Sequence, residues 1–77
     1  MNDRISIDVQ VHFGKPCIAG TRVTVQNVME LVEHGIPFSE ICSDYYPEIT
    51  VDDVKACIHF ARETLASEEL HFASATP

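Results

Sequence analysis

The sequence is short of positive charge. Five lysines and arginines stand against twelve aspartates and glutamates, a formal charge of −7 with neutral histidines. Such a chain repels nucleic acid over its whole field and attracts basic partner surfaces, so any DNA contact must use a local patch. It is also short of length. At 77 residues it is one domain, with little room for a deep substrate pocket. Long apolar runs are absent: nothing approaches the ~18 residues of a membrane span. Residues 1–4 lack the basic start and apolar stretch of a secretory signal. The cysteines are three, Cys17, Cys42 and Cys57, an odd number at unrelated spacing. That excludes the even disulfide framework of a small secreted domain. Three free thiols and a cytoplasmic location are expected, with no membrane association and Cys57 in the core.

Catalytic patterns are equally scarce. There is no C-x-x-C or H-x-x-x-H pair, and His12, His34, His59 and His71 fall on different elements, so no metal site is expected. The acid pairs Asp52–Asp53 and Glu68–Glu69 are helix neighbours that diverge by about 100°, which makes solvated faces rather than acid/base dyads. Gly14-Lys15-Pro16 lacks the Walker spacing, and its proline removes an N–H that a phosphate cradle would use. Neither catalytic residues nor a cofactor is expected.

What is present is ordinary globular composition, 45% apolar and 22% charged, which argues against disorder of the whole chain. Residues 5–11 alternate apolar and polar and read as a half-buried strand. Gly14 and Pro16 break it, and Cys17-Ile18-Ala19 reads as a short second strand before a turn at Gly20. Thr24 is a good N-cap for a helix over 24–34, with Val25, Val28, Met29 and Val32 on one face. Gly35 stops it and Pro37 prevents continuation. A short helix spans 38–45 and ends at Pro47. A third helix spans 50–66, with Thr50 and Asp53 forming a capping-box variant. Its apolar stripe is Val51, Val54, Ile58, Ala61 and Leu65, widened by Cys57, with Asp52, Asp53, Lys55, His59, Arg62 and Glu63 exposed. The expected core is Val28, Val32, Ile41, Val54, Ile58 and Ala61.

The fold class is therefore mainly α: a β ribbon (1–23), a three-helix core (24–66) on a helix-turn-helix plan, and a frayed tail (67–77). Charge divides along the chain. Residues 1–35 hold three cations and four acids; residues 36–77 hold two cations and eight acids. The densest unexplained segment is Phe13 to Val25, with two glycines, a proline, two cations and a helix cap. It is either a tight structural ribbon or a cationic one that offers Lys15 and Arg22 to phosphate or to an acidic partner.

That segment, G-K-P-C-I-A-G-T-R-V-T-V, followed by a helix ending at Gly35, then S-E-I (Ser39 to Ile41) and D-Y-Y-P-E-I-T (Asp44 to Thr50), resembles the bacterial domain-of-unknown-function 433 family, whose members are often regarded as VapB-like antitoxins. The likeness covers residues 5 to 65. It implies a homeodomain-like or winged helix-turn-helix fold, a partner toxin of PIN-like nuclease fold, and self-repression at the promoter, with the chain acting as a homodimer. It carries over no catalytic residues.

Two functions compete: an antitoxin that also binds DNA, and a protein-interaction module without DNA binding. The candidate DNA contacts are Lys15, Thr21 and Arg22 on the ribbon and Lys55 and His59 on the third helix. Two cations beside three acids make a poor phosphate-neutralising face on that helix. The candidate partner-binding residues are Leu65, Leu70 and Phe72, apolar groups beyond an already complete three-helix core.

Overall fold

A computed structural model describes residues 3–68. Its elements are β1 (Ile5–Ser6), a tight turn at His12–Gly14, β2 (Cys17–Ile18), α1 (Val25–Glu33), α2 (Phe38–Glu40) running into a π-helical turn (Ile41–Tyr45), and α3 (Val51–Glu68). The described part is thus mainly helical, with a two-stranded antiparallel sheet near its N-terminus.

The ribbon is shorter than the alternation suggests. Ile5 pairs with Ile18 and Ser6 with Cys17, and there β1 ends. Asp8 diverts the chain: its carboxylate accepts from the Gln10 N–H at 2.8 Å, and its carbonyl accepts from the Val11 N–H at 2.8 Å. This side chain-to-backbone bonding competes with a ladder. Ile7 and Val9, expected on a half-buried strand, are 60% and 74% exposed as a result. The chain then turns through His12, Phe13 and Gly14, all at positive φ (49°, 57° and 86°). Two consecutive non-glycine residues in the left-handed region cost roughly 1–2 kcal/mol each. The ribbon remains anchored because the Ala19 N–H donates to the Arg4 carbonyl (2.8 Å) and the Val25 N–H to the Pro16 carbonyl (2.9 Å).

The helices start and stop where local chemistry says they should. The Thr24 hydroxyl accepts from the Asn27 N–H at 3.0 Å. Gly35 (φ +77°) follows α1 in the left-handed conformation. In the second helical segment the hydrogen bonding widens: the Tyr46 N–H reaches the Ile41 carbonyl, five residues back, at 2.8 Å. Tyr46 then leaves helical geometry (φ −132°, ψ 79°) ahead of Pro47.

Val28, Ile41, Val54 and Cys57 are fully buried. Val32, Ile58 and Ala61, expected as core, are half-buried around that centre. On α3 the buried face turns about Cys57 rather than lying between Val54 and Ile58. Val51 and Leu65 are consequently exposed, at 38% and 57%, while Asp53, expected on the solvated face, is buried at 9%. The ribbon is the reason: it packs on the Asp53 side of α3 and brings a cation to it. Among the described residues, no helix is long and apolar enough to cross a membrane. Leu70, Phe72, His71 and most of the expected tail lie outside the described residues.

Candidate functional site

Three open depressions run across the side of the molecule where the ribbon meets α1 and α3. The first is lined by Ile7, Asp8, Val9, Thr21 and Arg22. The second shares Ile7 with it and adds His59, Phe60 and Glu63 of α3. The third shares Phe60 with the second and is walled by Lys15, Pro16, Val25, Met29, Ala61 and Leu65, with a volume of about 410 Å³.

The candidate DNA contacts are spread over this band. Arg22 lies in the first depression, His59 in the second and Lys15 in the third. Lys55 and His59 are exposed one helical turn apart on α3. Asp8 shares the first depression with Arg22, and Glu63 shares the second with His59. Each acid offsets the attraction of its neighbour for phosphate. Thr21 acts locally. Its hydroxyl donates to the Ile18 carbonyl (2.8 Å) and accepts from the Val23 N–H (3.0 Å), shaping the turn before α1. Of the candidate partner contacts, Leu65 forms a wall of the third depression.

The best-defined polar cluster ties the N-terminal segment to the start of α3. Arg4 donates to Asp53 Oδ1 at 2.9 Å and lies 3.9 Å from Asp52 Oδ2. Asp53 Oδ2 accepts from the Thr50 N–H at 2.9 Å, and the Asp53 N–H donates to the Thr50 hydroxyl at 3.2 Å. That is a reciprocal capping box with an arginine locked onto it. Burial pushes the Asp53 carboxyl up. The Thr50 N–H, the Arg4 and Thr50 side chains and the Arg4 charge outweigh it and hold the carboxyl below its ordinary value. Two thiols near this cluster are raised: burial, then the Asp53 charge, pushes the Cys57 thiol up to about 12, and the same two causes raise Cys42. Buried thiols of raised pKa are structural. The described residues bring no group of three or more histidines, cysteines or acids together. The cluster stabilises a helix start.

The second half of the chain is acidic. Asp44, Glu48, Asp52 and Glu63 are exposed there, with Lys55 and Arg62 the described cations of that half. A family model described as a protein of unknown function (DUF433) matches residues 5–61. The chain belongs to the DUF433 family. Within that span lie Lys15, Thr21, Arg22, Lys55 and His59, whereas Leu65 and the stretch after it lie beyond. The DUF433 match thus takes in the ribbon, α1, the capping box and most of the buried face of α3. No curated protein and no solved structure matches the chain.

The groove, the exposed Phe13 and the Arg4–Asp53 pair escape a reading of the sequence. Arg4 and Asp53 are 49 positions apart, and no periodicity couples them. The groove depends on how far α3 is rotated, which pattern alone leaves open.

Proposed function

We propose that this chain is an antitoxin-like protein of helix-turn-helix plan that binds and neutralises a nuclease of PIN-like fold. What carries the reading is the distribution of charge: exposed acids on the half built from α2 and α3, on a chain of net charge −7. A nuclease must hold a polyanion and presents cations to it. An acidic protein surface competes for those cations and is steered to them. The DUF433 membership and the G-K-P…G-T-R segment from which the antitoxin resemblance starts are consistent with it. The acidic surface and the stretch from Leu65 through Leu70 and Phe72 are the proposed nuclease contacts.

Binding of promoter DNA by a dimer, through Lys15, Thr21, Arg22, Lys55 and His59, is the finer part of the proposal. The alternative, an interaction module without DNA binding, gains from one observation: Asp8 and Glu63 sit in the depressions that hold Arg22 and His59. Co-expression with the nuclease encoded beside it, followed by co-purification, tests the main reading. A stable complex that loosens as salt rises is expected; no complex at low salt contradicts it. A gel shift on the chain's own promoter fragment separates the two readings of DNA.

A further inference from the structure

Phe13 is 98% exposed. It sits on a left-handed turn, at φ 57° between His12 at 49° and Gly14 at 86°. Strained backbone that holds an aromatic ring in water is costly twice over, in the backbone and in the unburied apolar surface. Two residues further along, Lys15 and Pro16 form one rim of the 410 Å³ apolar groove whose other walls are Met29, Phe60, Ala61 and Leu65. Phe13 and the near rim at Lys15 are therefore at most about 7 Å of chain apart. A protein that carries a protruding apolar group beside a matching apolar hollow is self-complementary about a two-fold axis, because each copy offers what the other lacks.

We infer that two copies of this chain associate through a two-fold contact in which Phe13 of each enters the Met29–Phe60–Leu65 groove of the other. Charge selects this face for a contact between two copies. Two chains of −7 repel each other through their acidic halves. The first half, which supplies the turn and one groove wall, is nearly neutral, and Lys15 is the charged residue among those lining the groove. Glu30 and Glu33 lie one helical turn beyond Gln26 and Met29 on the same wall, and neither has an ion-pair partner among the described residues. They are the partners available to Lys15 of the second copy. Area sets the strength. A phenylalanine buries about 150–250 Å², so two knobs and the surfaces they cover contribute roughly 600–1,000 Å². That is about half of a standard interface, with Val9 and the groove rims supplying more. A contact of that size belongs with weak, reversible association. The contact gives the dimer of the proposed function a structure and rests on that part of it; no acid among the described residues lines the groove, while Leu65 is shared with the proposed nuclease contacts.

Sedimentation equilibrium of the full chain, from about 1 μM to 1 mM, tests the contact. The parent is expected to pass from monomer to dimer within that range. Phe13→Ser and Leu65→Gln should each weaken association at least tenfold while leaving the circular-dichroism melting of the dilute monomer unchanged, since both side chains are exposed. An equimolar mixture of the two variants retains one intact knob-and-groove contact. It should associate more tightly than either variant alone and less tightly than the parent. A parent that stays monomeric throughout, variants that dimerise like the parent, or a mixture no better than its components would each overturn the inference.

Discussion

Replacing Asp53 by alanine removes three things at once. It deletes the acceptor for the Thr50 N–H at 2.9 Å, the acceptor for Arg4 at 2.9 Å, and the charge that favours the start of α3. Loss of a helix cap costs about 0.5–2 kcal/mol. A hydrogen bond to a charged group is worth about 1.5–3 kcal/mol, discounted here because the Arg4 side chain is 51% exposed and water screens the pair. The sum is about 2–3 kcal/mol. At roughly 4–8 °C per kcal/mol for a domain of this size, Asp53→Ala should lower Tm by about 8–24 °C. Asp53→Asn keeps an acceptor for the Thr50 N–H and loses the charge, so its cost is about half. The pH dependence has a definite sign. The folded carboxyl titrates below its unfolded value of about 3.9. Its stabilisation is therefore fully present above that value and is lost as pH falls through the folded pKa. The gap between parent and Asp53→Asn, measured by urea unfolding, should be widest near neutrality and close in strong acid. A gap below about 0.5 kcal/mol at pH 7, or one that widens in acid, would refute the clamp.

Other expectations follow from burial and conformation. Ile41→Ala should cost about 2–5 kcal/mol, because Ile41 is fully buried; Ile58→Ala should cost less, since Ile58 is half-buried, and equal losses in denaturant titrations would contradict the rotation of α3 about Cys57. Gly20→Ala should cost about 1–2 kcal/mol from its φ of +80° alone, as nothing lies within 4 Å of the added carbon; a neutral result by thermal melting argues against the turn. Thiol-reagent labelling of the native protein should modify Cys42 ahead of Cys17 and Cys57, which are 1% and 0% exposed; simultaneous labelling of all three would mean the core opens readily. Lys15→Ala with Arg22→Ala should weaken promoter binding at matched salt, and unchanged binding removes the ribbon as the contact.

The parts of this fold that are readable in the sequence are those fixed by neighbours in the chain. Thr24 and its bond to Asn27, Gly35 after α1, and the Thr50–Asp53 box all act over three residues or fewer, and each is found as expected. Where distant segments decide, pattern misleads. Alternation in residues 5–11 suggests a long strand because it does not register Asp8 capturing the Gln10 and Val11 amides. The aliphatic residues of α3 suggest a stripe from Val51 to Leu65, yet both its ends are exposed, and the burial of Asp53 depends on Arg4, which only the folded ribbon brings to it. The candidate site divides the same way. Lys15, Arg22, Lys55 and His59 are recognisable by type as surface groups that can carry positive charge. The separation of Lys15, Arg22 and His59 over three depressions, two of them shared with acids, is a property of packing.

The nuclease assay tests the central proposal most directly. The proposed partner, the product of the neighbouring gene, is incubated with a nucleic-acid substrate while the purified chain is titrated in. The parent should suppress cleavage near one equivalent. An Asp44→Lys, Glu48→Lys variant, altered at two exposed acids outside the buried core, should keep its fold by circular dichroism and need at least tenfold more protein for the same suppression. Full cleavage in the presence of excess parent, or equal suppression by the variant, would contradict the account.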